Sequence, residues 1–226
     1  MSLIKPSSIR MFILTMLVFC TGCGQQGAAT KGNGKITTKT VPITGIMAID
    51  ALGVGDITIR FGSREVLTIT TDENILAGNI QTVVTGDTLH LTHSGSIRPT
   101  RGVQYELVLT SLDMINLGGS IHARVNDIDA QDLEIIMSGA SELEIFGQAR
   151  ILALDCSGSS QANAMNLLSD TVQVSLSGAS EASVHALTSL DANVSGASML
   201  FYDGTTSSAS FKTTGAAEIK NIQESR

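Results

Sequence analysis

Between Leu117 and Ala217 the chain repeats one pattern six times: an alternating strand, a corner of small residues built on Gly, then a second alternating strand. The corners read Leu117-Gly118-Gly119-Ser120, Ser138-Gly139-Ala140-Ser141, Ser157-Gly158-Ser159-Ser160, Ser177-Gly178-Ala179-Ser180, Ser195-Gly196-Ala197-Ser198 and Thr214-Gly215-Ala216-Ala217. Taking glycines 118, 139, 158, 178, 196 and 215 as the common frame, the spacings are 21, 19, 20, 18 and 19 residues. A period near 20 without helical patterning points to an all-β solenoid, in which each repeat is one coil that buries its apolar side only against its neighbours.

In register, the strands before the corner place Leu133, Ile135 and Met137 on one phase, then Leu152, Leu154 and Cys156, then Val172, Val174 and Leu176, then Leu190, Ala192 and Val194. After the corner the same phase carries Leu143 and Ile145, Ala162 and Ala164, Ala182 and Val184, Leu200 and Tyr202. Period two with one apolar side predicts strands with one buried face, stacked about 4.8 Å apart so that like residues form ladders. The other phase, with Glu134, Ile136, Asp155, Gln173 and Ser175, is expected outside. Gly tolerates the positive φ and close backbone approach of a sharp corner. The flanking serines (138, 157, 177, 195 and 141, 160, 180, 198) form two hydroxyl ladders along the edge, expected to satisfy each other and the turn backbone. Cys156 falls on the apolar phase and reads as a buried hydrophobe.

From Lys35 to about Leu112 the alternation persists less regularly, in Asp56 to Phe61, Leu67 to Thr70, Thr88 to Leu91 and Tyr105 to Leu109. Leu52-Gly53-Val54-Gly55-Asp56 is a degenerate corner, and Thr85-Gly86-Asp87 a hairpin turn. This half is expected to be an elaborated β cap, because an uncapped first coil exposes an unpaired strand edge. At the other end the sequence predicts a thin cap, with Glu218, Lys220, Glu224 and Arg226 discouraging edge pairing.

The first 22 residues read as a targeting segment: Lys5 and Arg10, then an apolar run from Met11 to Phe19, too short to span a bilayer. The run ends at Thr21-Gly22-Cys23, which resembles the lipobox of bacterial lipoproteins, although Cys20 stands where that pattern prefers Leu. The resemblance implies acylation of Cys23 and stable membrane anchoring through several acyl chains. Gly24 is not the Asp that resembles an inner-membrane retention signal, so an outer-membrane lipoprotein, periplasmic or surface-facing, is the expected location. Residues 23–35 read as a flexible tether and 36–226 as one domain. Loss of the leader takes the formal charge from −7 to −9, which offers no electrostatic footprint for nucleic acid.

The repeated Ser-Gly-x-Ser corners, the Leu-Gly-Val-Gly-Asp-Ile-Thr-Ile segment (52 to 59), the Thr-Asp-Glu-Asn-Ile-Leu stretch (71 to 76) and the lipoprotein leader together resemble the GIN-type head domain family of bacterial envelopes, described as an auto-transporter adhesin head. The resemblance spans about residues 36 to 222 and implies a right-handed parallel β-helix with no assigned catalytic residues. The chain departs from a true autotransporter in offering no C-terminal segment to build a membrane barrel.

Catalysis on such a scaffold needs paired carboxylates, or a carboxylate beside a base, on one outward face. Asp155 has Ile136 and Ser175 as ladder neighbours, and the ladder Glu142, Gln161, Glu181, Met199, Glu218 is interrupted at every second coil. His90, His93, His122 and His185 fall in different segments, with His90 and His93 on opposite faces of a strand. Asn126-Asp127-Ile128-Asp129-Ala130-Gln131-Asp132 offers alternate oxygens to Ca²⁺ but lacks the glycines of a repeat-type calcium motif, and reads as a solvated acidic loop. No catalytic residue, metal or cofactor is therefore expected. The expected function is a non-catalytic, lipid-anchored envelope protein presenting a rigid surface for adhesion or for a glycan or protein. The alternatives are a carbohydrate-active β-helix enzyme, for whose aromatic groove only Tyr105, Tyr202 and six Phe are available, and a periplasmic structural or stress-response binding component. Met199 and Phe201, outward members of the apolar run Met199-Leu200-Phe201-Tyr202, form the candidate contact patch.

Overall fold

The computed structural model describes residues 28–222. The leader and Cys23 lie outside the described residues. The N-terminal half holds β1 (Thr30–Lys31), β2 (Ile36–Pro42), β3 (Ala48–Phe61), β4 (Val66–Asp72), α1 (Glu73–Gly78), β5 (Ile80–Thr85), β6 (Thr88–His93), β7 (Ile97–Arg98) and β8 (Gln104–Leu109). The repeats form β9 (Met114–Met137), β10 (Glu142–Cys156), β11 (Gln161–Leu176), β12 (Glu181–Gly196), β13 (Met199–Asp203), β14 (Ser208–Gly215) and β15 (Glu218–Asn221).

The fold is all-β, with one large mixed sheet of 13 strands that does not close on itself, and a separate pair, β1 with β7. Its main path runs β2-β4-β8-β3-β9-β10-β11-β12-β13-β15, and β14 pairs with β12 off that path. From β3 onward each repeat lies parallel to the next, and the ladders are those of the sequence pattern: Leu133 meets Leu152, Val172 and Leu190 in turn. All four are at most 2% exposed. Each such residue contributes about 1.5–3 kcal/mol by leaving water, which is what holds the stack together.

The strands before β9 mix parallel and antiparallel pairs, in keeping with the hairpins expected in the cap. Strand β2 is antiparallel to β4, β4 to β8, and β5 to β6, while β3 is parallel to β6 and β8. Of the antiparallel pairs only β5–β6 is closed by a short hairpin turn; β2 and β4, and β4 and β8, are separated in sequence by other strands. Strand β3 joins the two parts: Ala48 to Ala51 lie between β6 and β9, and Asp56 to Ile59 between β8 and β9. The degenerate corner therefore stacks on the first repeat, with Gly53 beside Gly119.

The frame glycine of the first corner is Gly119, not Gly118. Gly119 has φ +93, and its carbonyl accepts the Ala140 N–H at 2.7 Å. A Cβ at Gly139 would lie 2.5 Å from that carbonyl oxygen, so the corners are glycines because neighbouring repeats touch through bare backbone there. The uneven repeat lengths are absorbed away from the corners. Between β11 and β12 the register runs Ala164↔Val184 and then Leu168↔His185, which keeps Leu176↔Val194 aligned at the next corner.

The two serine ladders are not equivalent. Ser141, Ser160, Ser180 and Ser198 are at most 1% exposed and face inward, correcting their expected place along the edge. Ser141, Ser160 and Ser180 each donate at 3.0 Å to the carbonyl of the serine three residues before, and Ser180 also reaches the Ser198 hydroxyl at 3.3 Å. Ser157 and Ser195 donate to Met137 O and Leu176 O of the preceding repeat. The turn-satisfying reading holds. Cys156 is free and fully buried, and burial pushes its thiol up to about 12.

The described part of the expected tether is ordered into the cap. Thr30 and Lys31 pair with Ile97 and Arg98, and the Asn74 side chain donates to Lys31 O at 2.9 Å. The Asp72 carboxylate, in a residue with no exposed surface, accepts Gly34 N–H at 2.7 Å, Thr100 N–H at 2.7 Å and the Thr100 hydroxyl. These bonds, led by that of the Thr100 hydroxyl, hold Asp72 below the usual carboxylate range despite the opposing effect of burial. Its side chain is thus unavailable to cap α1, the one helix among the described residues.

Candidate functional site

The broadest surface is the outer side of the strands that follow the corner. Strand register carries two rows of side chains across ten strands, a span of about 43 Å at the usual strand spacing. One row runs Thr38, Thr70, Gln104, Asp56, His122, Glu142, Gln161, Glu181, Met199, Glu218. The second runs Thr40, Thr68, Glu106, Thr58, Arg124, Glu144, Asn163, Ser183, Phe201, Lys220. The acid ladder read from sequence is in place. At its middle the rows line a shallow depression of about 490 Å³.

Three of its groups escaped sequence reading as a cluster. His122 lies between two carboxylates, with Nδ1 3.3 Å from Asp56 Oδ1 and Nε2 3.8 Å from Glu142 Oε2. Beside them Arg124 pairs with Glu144 and lies over the Phe146 ring at 4.8 Å. Glu142 and Glu144 lie two apart on one strand and so share the face, a pairing the interrupted ladder did not show. Asp56 reaches them because β3 docks on β9, and no local signal links residues 66 apart in sequence. The face carries six carboxylates against Arg124 and Lys220, so it suits neutral or cationic partners.

Met199 and Phe201 lie on these rows near the C-terminal end, half-buried rather than fully outward. Phe201 is covered from one side by Lys220, whose Nζ lies 5.9 Å from the ring centroid. Tyr105 is 3% exposed and its hydroxyl is pushed up to about 12 by burial, so it lines no groove. Tyr202 packs on Phe211, ring centroids 5.4 Å apart.

The opposite side, before the corner, joins Asp50, His90 and Asn116. His90 Nδ1 is 2.8 Å from Asp50 Oδ2, and Asn116 donates to Asp50 Oδ1 at 2.9 Å. His93 turns to Gly95 O at 2.9 Å, so the two histidines diverge as expected. Asp155 has Ile136 and Ser175 beside it, as the ladder predicts. The acidic stretch 126–132 is not a loop but part of continuous β9, with Asp127 at φ +60. Gln148 donates to Asp129 at 3.0 Å and Arg150 to Asp132 at 2.8 Å, so the next repeat meets these oxygens.

Fold and surface together define a class: an all-β module that presents broad, flat, polar faces built from stacked repeats. The chain belongs to the family described as "Putative auto-transporter adhesin, head GIN domain", which matches residues 47–206. Among solved structures it is similar to a putative adhesin from Bacteroides fragilis, at 24% identity and TM-score 0.69, covering 86% of this chain and 100% of that one. A putative adhesin from Parabacteroides distasonis (19%, TM-score 0.54, 86% and 100% coverage) and a putative lipid binding protein from the same species (19%, 0.52, 86% and 99%) share the fold. No curated protein matches the chain.

Proposed function

We propose that this is a non-catalytic, adhesin-like envelope protein, anchored through Cys23, which uses the ten-strand face to hold a glycan or protein ligand. In this reading the parallel repeats wind as a right-handed β-helix and the cap sits toward the membrane. The observation that carries it is the pair of ungapped side-chain rows. Amides, carboxylates and Arg124 recur at strand spacing along a rigid support, so a partner finds many fixed hydrogen-bonding groups with little entropy left to lose. Family membership supports the adhesin-like part. The surface charge favours a neutral glycan or a cationic protein segment over an anionic polymer.

Two measurements test this. Protease added to intact cells should digest the domain; protection until lysis overturns surface adhesion and favours a periplasmic role. On glycan and matrix-protein arrays, Arg124→Ala and Glu142→Gln should lose binding that Gln173→Ala, on the opposite side, retains. Equal loss from all three refutes the choice of face.

A further inference from the structure

We infer that the C-terminal end of the stack is a homotypic docking surface, where β14 of one copy pairs antiparallel with β14 of a second. Register sets Ala209, Phe211 and Thr213 directly beyond Leu190, Ala192 and Val194, which are 1%, 1% and 0% exposed. These are core-phase positions, yet all of β14 is exposed and Phe211 is 44% exposed. The apolar interior therefore opens to solvent at this end. The backbone is open as well: among the described residues β14 has a single neighbour, β12. Ala216 donates back to Gly196 O, and strand alternation then turns the amides and carbonyls of Thr213, Phe211 and Ala209 away from the stack.

Of the edge strands at the opposite end, β2 carries Lys39 and Pro42, the residues that blunt edge pairing, whereas β5 carries neither charge nor proline; β14 has no proline and one charge, Lys212. A second copy is the occupant that the charges favour. The ten-strand faces are acidic and repel each other, while at this end Glu218 and Lys220 are already paired. A two-fold axis near Phe211 brings the two rings together, sets Ala209 against Thr213 and Ser210 against Lys212 of the second copy, and opposes no like charges.

The placement gives the pairing a use. Strands β2 and β15 end the main path of the sheet on opposite sides, and the described chain begins in the half that holds β2. If the domain stands on its anchor as proposed above, β14 is distal, and copies on two membranes meet tip to tip. One strand pair is a small contact, so single copies associate weakly and arrays on a surface gain by multivalency. The use rests on the surface reading; the pairing does not.

The test uses the chain from Gly24 onward, which retains every described residue. Sedimentation should show a monomer–dimer equilibrium, and Phe211→Asp should weaken it about ten-fold or more with unchanged circular dichroism. Phe211→Cys should cross-link into covalent dimers on oxidation, since Cys156 is buried, whereas Thr40→Cys on β2, the edge blunted by Lys39 and Pro42, should not. A monomer at high micromolar concentration, or equal cross-linking from both cysteines, overturns the proposal. Dimers in solution together with protease protection on intact cells keep the pairing and refute the surface reading.

Discussion

Replacing Gly178 by Ala should destabilise the stack far more than the same change at Gly86, although both residues have positive φ. Gly178 sits at φ +78, and a Cβ there would lie 2.6 Å from Gly158 O and 3.1 Å from Gly158 N. Gly86 sits at φ +65 with nothing within 4 Å of the position its Cβ would take. Left-handed backbone costs an alanine about 1 kcal/mol, and at Gly86 that is the whole effect. At Gly178 the corner must also move by the better part of an ångström. That strains the backbone by about 1–2 kcal/mol and weakens the 2.8 Å bond from Ala179 N–H to Gly158 O, worth about 1 kcal/mol. The expected loss is about 2–4 kcal/mol at Gly178 against about 1 kcal/mol at Gly86. As a melting temperature, the Gly178 variant should fall by about 5–15 °C. Ala179→Ser, at an exposed corner position, is the neutral control. Calorimetry and denaturant titration read all three. Equal losses at the two glycines would refute the claim that close contact between repeats, rather than φ alone, selects glycine at the corners.

Other expectations follow from the same structure. Ser180→Ala removes a buried hydroxyl with three partners and should cost about 1 kcal/mol in denaturant titration, because the Cys156 carbonyl it serves also accepts the Ser177 N–H at 2.9 Å. Cys156 should resist iodoacetamide at pH 8 in the native protein and react once denatured; native alkylation at the rate of an open thiol contradicts its burial. Asp72 has a folded pKa below its unfolded value, so its stabilisation is complete above the unfolded pKa of about 3.9 and is lost as pH falls through the lower folded value. Asp72→Asn should therefore flatten the stability profile below about pH 4, and an acid limb identical to that of the parent removes Asp72 as its source.

Much of this molecule is legible in the chain because its order is local and repeated. Alternation in Leu133 to Met137 and its counterparts names the buried phase, and the corner glycines mark where repeats touch. The register of the Glu142 ladder follows from those corners alone. The repeat could not show where a non-repeating segment docks. Asp56 joins His122 and Glu142, and Asp50 joins His90 and Asn116, only because β3 and β6 pack side by side with the first repeat. The inward turn of Ser141 and Ser180, the clamp at Asp72 and the antiparallel cap depend likewise on backbone partners distant in sequence. The sequence by itself determined the alternation and the corners, since side-chain phase and glycine φ are properties of a few neighbouring residues. Tertiary structure decided which polar groups meet and which end stays open, because those depend on pairing between segments whose own patterns are equally satisfied by other partners.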